Sequence, residues 1–377
     1  MKDFTAELAE LDEQSLRRTL RWLDGAQSRE IFLDGIEGLN FASNDYLGLA
    51  NHADLKTAML EGVERWGVGS GASRLITGSM TAHGMLEEKI SELKGTEAAL
   101  SFANGYATSV GTVSALVGKG DTVILDKLSH ASLIDGARLS GATIRVFPHN
   151  NLEKLERLLE SCSKTDSRVL VITESVFSMD GDVALLGDII RLKNQFGALL
   201  LLDEAHGLGV YGENGMGLSE YLGLSSEVDI HMGTLGKAAG VAGGYIAGCR
   251  DMVDLVVNKG RSFIYSTAPP PAQAYTAMKA LELIVSEEGK HRREKLWDNI
   301  NYLSQKLKIE GTSAILPWHV GESEEALALM ESLKQKGIFV PAIRYPTVPR
   351  KTARLRITLT AEHSREDLDL LVGKLVG

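Results

Sequence analysis

Two stretches of this chain are apolar at nearly every position. Val169-Leu170-Val171-Ile172-Thr173 and Ala198-Leu199-Leu200-Leu201-Leu202 lack the alternation of a half-exposed strand, so they predict parallel strands covered on both faces. Residues 185–196 between them carry a helical period, which completes a βαβ unit. Shorter strands are predicted around Leu100 to Phe102 and from Thr122 to Leu125. Near the carboxyl end the period is two: Leu355, Ile357 and Leu359 share one face, and Arg354, Arg356 and Thr358 share the other. Helices are predicted over 4–24, where Leu8, Leu11, Leu16, Leu20 and Leu23 recur near a 3.6 period, and from Met85 through Leu86, Ile90 and Leu93 to a closing Gly95. A further helix is predicted over Glu287 to Leu307, ahead of strand-like segments around Ile338 to Ile343 and Leu355 to Leu359.

The segment 67–84 breaks this regularity with five glycines and almost no long apolar residues, so it is expected outside the core. Long irregular stretches in compact domains are commonly functional. A second glycine-rich stretch, His231 to Tyr245, sets Lys237 among small residues. Burying the lysine stem costs little, but the ammonium loses hydration, so a neutral amine able to form a Schiff base becomes accessible. A surface lysine in a flexible loop has the same local pattern, so the rest of the chain must decide.

Composition narrows the choices. The chain of 377 residues with 44% hydrophobic and 24% charged content is an ordinary globular one, long enough for two lobes. A net charge of −10 disfavours nucleic-acid binding, which rests on basic surface. Cys162 and Cys249 show no pairing or zinc spacing, and a reducing cytoplasm is expected. The acidic amino terminus does not read as a secretory signal, and no apolar run approaches the ~20 residues that span a bilayer.

Several residues that carry chemistry fall just after predicted strands. At Gly105, Tyr106 and Thr108 a strand gives way to a helix start, whose free N–H groups suit a phosphate. His130, among small neighbours, could stack on a ring. Asp203 ends an apolar strand with His206 three positions on. A metal pair is one reading of these two, though with too few ligands; a carboxylate paired with a protonated ring nitrogen is the other. With Lys237 and the Thr234 hydroxyl, the set matches what pyridoxal phosphate requires: an anion nest, an acid, a stacking ring and an amine.

The stretches FASNDYLGLA, GSGASRLITG, HASLIDGARL, ESVFSMDGD, LDEAHGLGVYG, TLGKAAGVAGGY and TARLRITLTAEH together carry a resemblance over nearly the whole chain. It resembles the α-oxoamine synthases, pyridoxal-phosphate-dependent acyltransferases of the fold-type I superfamily. The resemblance implies an α/β fold: an amino-terminal arm and helix (1–45), a large cofactor domain with a mostly parallel seven-stranded sheet (46–285) and a smaller carboxyl-terminal α/β domain (286–377). It also implies a homodimer with active sites at the interface. Lys237 would bond the cofactor aldehyde, Asp203 the pyridine nitrogen and His206 the phenolic oxygen with Ser178 close by, while His130 stacks. Gly105, Tyr106 and Thr234 would hold the phosphate, and Thr267 would reach the phosphate in the neighbouring subunit. Arg356 would take the substrate carboxylate with Thr347 nearby; periodicity alone leaves Arg354 equally eligible. Asn44 and Arg17 would contribute to the substrate pocket. No metal is expected.

Within the family, IRYPTVPRKTARLRITLTAEH resembles the member that condenses L-alanine with a pimeloyl thioester, carried on coenzyme A or acyl carrier protein, in biotin assembly. Relatives that join glycine to acetyl- or succinyl-CoA, or serine to palmitoyl-CoA, use the same machinery. A subunit of this fold that has lost catalysis is the non-enzymatic alternative, against which Lys237, Asp203, His130 and His206 argue. One departure is Met216, where relatives often carry arginine.

Overall fold

The structure, a computed structural model, describes residues 4–14, 16–162 and 167–376 and divides into two compact units. The larger comprises Asn44–Ser178 and Asp182–Trp297; the smaller takes the residues up to Ser43, Met179–Gly181 and Asp298 onward.

The larger unit is built on a sheet of seven strands: β1 (Ala98–Phe102), β2 (Thr122–Asp126), β3 (Thr143–Phe147), β4 (Val169–Glu174), β5 (Leu199–Asp203), β6 (Ile230–Thr234) and β7 (Gly244–Gly248). Their order is β1-β7-β6-β5-β4-β2-β3. Neighbours run parallel throughout, except that β7 is antiparallel to both β1 and β6. This is the mostly parallel sheet expected from the sequence. All residues of β2 and β4 are buried, as their continuous apolar runs require, whereas β3 lies at the sheet edge and exposes Thr143, Arg145 and Val146.

Four helices matter for the site: α1 (Thr81–Lys94), α2 (Gly105–Leu116), α3 (Ala131–Ser140) and α4 (Leu186–Phe196). The α4 helix connects parallel neighbours β4 and β5, the expected βαβ unit. Gly95 ends α1 in the left-handed conformation (φ 65°, ψ 37°), and its N–H bonds back to the Glu92 carbonyl oxygen. The expectation that 67–84 stays outside the core needs correction. The α1 helix starts at Thr81, with Ala82 and His83 fully buried, and Arg74 is buried against Glu87 at 2.9 Å. A count of long apolar side chains misses both a small residue and a cation buried through an ion pair.

The smaller unit holds two sheets. In one, Leu23–Asp24, Glu30–Leu33 and Ile36–Asn40 form an antiparallel meander, and Ile338–Phe339 adds parallel to the last of these, with Phe339 opposite Asn40. Asp34 and Gly35, both at positive φ, make the tight hairpin turn. In the other, Ala353–Thr358 lies between Ile315–Gly321 and Ala342–Ile343, antiparallel to both.

The amino-terminal helix is shorter than expected, ending at Glu13, and it buries none of its residues. Residues 16–22 are not helical. An apolar stripe with no surface to cover has only local propensity to hold it, which is marginal for an isolated helix. Among the described residues, no helix is long and apolar enough to cross a membrane.

Candidate active site

The parallel strands bring their carboxyl ends to one edge of the sheet, where open α/β sheets hold ligands. There β4 ends in Glu174, β5 in Asp203 and β6 in Thr234; the register sets Glu174 opposite Asp203 and Asp203 opposite Met232. Both carboxylic residues are almost fully buried, at 3% and 5% exposure. Burial pushes the Asp203 carboxyl up and Lys237 pulls against it; burial and neighbouring Asp203 push Glu174 well above the usual range. Asp203 Oδ1 accepts the Ala205 N–H at 2.8 Å, and Glu174 accepts the backbone N–H of His130.

Beyond β6 the chain closes a loop around Lys237. The Leu235 N–H bonds to the Gly243 carbonyl at 3.0 Å and the Gly240 N–H to that of Lys237 at 2.8 Å. Gly240 sits at φ +67° with its ideal Cβ position 2.5 Å from the Ala50 nitrogen, so only glycine fits without displacement. Half-buried Lys237 places Nζ 2.8 Å from Nε2 of His206, which lies in the turn after β5. The other nitrogen of His206, Nδ1, is hydrogen-bonded to the hydroxyl of Tyr46. That hydroxyl is also 3.4 Å from Asn44 Oδ1.

The start of α2 is a separate subsite. Asn104 caps it by accepting the Ala107 N–H at 2.8 Å, and among the described residues the N–H groups of Gly105 and Tyr106 have no protein acceptor. A Cβ on Gly105 would touch Thr234 Cβ at 3.4 Å, so the threonine stands beside this helix start. Its hydroxyl donates to the Gly243 carbonyl at 2.9 Å and accepts the Gly236 N–H at 3.3 Å. Exposed Tyr106 donates its hydroxyl to Asp135 at 2.8 Å, which raises its pKa. His130 caps α3: its Nδ1 is 2.7 Å from Ser132 Oγ, itself 2.8 Å from Ser109 Oγ. Desolvation lowers the His130 pKa and favours the neutral ring.

These residues fit pyridoxal phosphate. The amine, the buried strand-end carboxyl, the neutral imidazole and the two open N–H groups beside a hydroxyl belong to one unit and gather at one edge of its sheet. Ser178 is half-buried in the loop after β4, whereas Thr267 is exposed and bridges Ser73. A hollow of about 570 Å³ lies at the opposite edge, lined among others by Glu97, Leu199, Val228 and Cys249, and none of the site residues enters it.

The remaining expected residues belong to the smaller unit. Arg354 and Arg356 do share a face of their strand, and both are buried. Arg354 is paired with Asp180 at 2.5 Å, while Arg356 donates to the Thr358 hydroxyl at 2.8 Å. Thr347 is exposed in a turn, its N–H bonded to the Arg344 carbonyl at 3.0 Å. Arg17 is exposed and pairs with Asp12 at 2.7 Å.

The structure adds residues that the sequence reading gave no role. Tyr46 and Glu174 are two; the signal for Glu174 was present, since it ends its apolar strand as Asp203 ends the next. Behind Asp203 lies a third feature, a buried ion pair between Lys94 Nζ and Glu204 Oε2 at 2.5 Å. Glu204 also accepts the Ser219 N–H at 3.0 Å, and Lys94 reaches the backbone carbonyl of Met216. Burial pushes the Glu204 carboxyl up, but Lys94 and His231 outweigh it and bring it down to about 2. Met216, the departure from the family pattern, is itself buried.

Comparison with known proteins agrees with this geometry. A family model described as aminotransferase class I and II matches residues 36–375. The 8-amino-7-oxononanoate synthase of Geotalea daltonii is 46% identical over 100% of this chain and 97% of its own, and that of Geobacter metallireducens 47% over 97% and 95%. Among solved structures, Sphingomonas wittichii serine palmitoyltransferase superposes with a TM-score of 0.92 at 31% identity, covering 98% of this chain and 95% of its own. The 8-amino-7-oxononanoate synthase of Francisella tularensis does so at 0.77 and 26% identity, covering 89% and 96%. With a profile match that runs nearly from end to end and relatives this similar over their full length, the chain belongs to the class I and II aminotransferase family.

Proposed function

We propose that this chain condenses L-alanine with a pimeloyl thioester to give 8-amino-7-oxononanoate, CO2 and the free carrier thiol, with pyridoxal phosphate as cofactor. The observation that carries the reading is the pairing of Lys237 Nζ with His206 Nε2 at 2.8 Å beside buried Asp203, in a chain 46% identical along its length to a protein of that name. The family resemblance adds that it works as a homodimer, and the two unpatterned cysteines support a reducing cytoplasm.

When bound, pyridoxal phosphate supplies an aldehyde for the amino group and an electron-poor ring that takes up the electron pair left at the substrate Cα. Lys237 would hold the aldehyde carbon and, once displaced by alanine, take the Cα proton at Nζ. Asp203 would hold a proton on the pyridine nitrogen, a task suited to a carboxylate with little competing water. The Gly105 and Tyr106 N–H groups and the Thr234 hydroxyl would bind the phosphate, and His130 would cover the ring face. His206 and Ser178 would take the phenolic oxygen. Arg356 is the arginine that the family resemblance assigns to the substrate carboxylate, which a guanidinium fork fits bidentately. Cα would then bond to the thioester carbonyl as the thiolate leaves, and Lys237 Nζ would return a proton to that carbon once the alanine carboxylate is lost as CO2.

Carrier-thiol release tests the proposal. Alanine, glycine and serine are each crossed against pimeloyl-, acetyl-, succinyl- and palmitoyl-CoA, with a blank for the thiols of Cys162 and Cys249. Alanine with pimeloyl-CoA should be fastest by a wide margin, and Lys237→Ala should abolish it. Preference for glycine with a short acyl group, or for serine with palmitoyl-CoA, would overturn the substrate assignment.

A further inference from the structure

His206 is held from both sides: Nε2 faces Lys237 Nζ at 2.8 Å, and Nδ1 meets the hydroxyl of Tyr46. Tyr46 is fully buried, in a turn 160 positions from the histidine, so its hydroxyl reaches the imidazole through the fold alone. A neutral imidazole carries one proton, and whichever nitrogen lacks it must accept. The phenol is a far stronger acid than an imidazole N–H, so a short phenol–imidazole contact is best met by the hydroxyl donating to Nδ1. The alternative acceptor for that hydroxyl, Asn44 Oδ1, is at 3.4 Å, too long to compete well.

We propose that Tyr46 is a positioning residue that fixes the tautomer of His206, keeping Nδ1 bare and the proton on Nε2. The chain's histidine then presents an N–H donor toward the lysine amine in its unprotonated form, the form that can accept, and toward any anionic oxygen bound beside it. This deepens the proposed function and rests on it in one respect: the oxygen in question is the phenolic oxygen of pyridoxal phosphate. Without Tyr46 the proton distributes over both nitrogens, and the donor is present only part of the time.

Two measurements on Tyr46→Phe test this, and they fail independently of each other. The first uses the cofactor-free protein labelled with 15N histidine, the His206 resonances being those lost in His206→Asn. In the parent, at alkaline pH where the Lys237 amine is unprotonated and can accept, Nε2 should carry the proton and Nδ1 should show the shift of a bare, hydrogen-bonded nitrogen; in Tyr46→Phe both shifts should move toward the average of the two tautomers. The second follows, in protein loaded with pyridoxal phosphate, the pH at which the visible absorbance of the bound cofactor changes. Loss of a donor at the phenolic oxygen should raise that midpoint, by up to about one unit, the scale of one hydrogen bond to a charged oxygen. A parent His206 protonated on Nδ1 would overturn the proposal even if the variant failed to fold. So would a folded Tyr46→Phe that leaves both the resonances and the midpoint unchanged. Absence of colour on adding pyridoxal phosphate would instead count against the proposed function, while leaving the tautomer result standing.

Discussion

Glu174 and Asp203 stand side by side at the ends of adjacent strands, yet they call for different substitutions. Burial and neighbouring Asp203 raise the Glu174 carboxyl well above its ordinary range, and what it does visibly is accept the His130 backbone N–H. Glutamine preserves that acceptor, so Glu174→Gln should change unfolding free energy by less than about 1 kcal/mol, whereas Glu174→Ala strands the N–H and should cost about 1–3 kcal/mol, both read from urea unfolding. Asp203→Asn should leave the fold intact and reduce turnover by roughly 10²–10³-fold, the scale of losing one fixed electrostatic partner. Lys237 and Asp203 were legible in the sequence because each is a costly residue in a small or apolar setting. Tyr46 was not, because an aromatic residue in a polar turn signals nothing until the fold brings His206 to it.

At the scale of elements, Lys94 is the last residue of α1, and through Glu204 it ties that helix to the chain just past β5. Breaking a buried pair leaves an uncompensated charge. Lys94→Met alone and Glu204→Leu alone should each destabilise by about 3–5 kcal/mol in chemical unfolding, and the double variant should recover much of the loss. The Glu204 carboxyl lies below its ordinary value of 4.5, at about 2, so its contribution is complete above 4.5 and disappears only as pH falls through about 2. Continuous apolar runs made β4 and β5 readable, because a strand covered on both faces has no polar positions to confuse. The start of α1 was missed since Ala82 and His83 are buried without looking apolar, and the amino-terminal helix was overdrawn because periodicity does not reveal whether anything lies opposite the stripe.

For the molecule as a whole, His149 makes a contribution to stability that depends on pH on the alkaline side. Its Nδ1 lies 3.1 Å from Asp126 and its Nε2 2.6 Å from Asp182, with Phe177 edge-on to the ring at 4.3 Å. Burial lowers its pKa, but the two aspartates raise it more, to about 10. A raised folded pKa means a contribution that is complete below the unfolded value of 6.5 and lost as pH climbs through about 10. The melting-temperature gap between the parent and His149→Asn should therefore shrink between pH 6.5 and 10; a constant gap would mean that His149 is not charged. The order of strands in the sheet was not readable from any local pattern, since register and neighbours are set by contacts between distant segments; the family resemblance implied seven mostly parallel strands and no order for them.

The parallel pairing of Ile36–Asn40 with Ile338–Phe339 joins segments about 300 residues apart. On a ribosome the early hairpin therefore emerges long before the strand that covers its open edge exists. At the usual 5–20 residues per second the wait is roughly 15–60 s, far longer than a hairpin needs to form. Throughout that interval a row of unpaired backbone groups is available to any neighbouring nascent chain. Shielding that edge during translation should therefore raise the yield in a cell without changing the stability of the finished molecule.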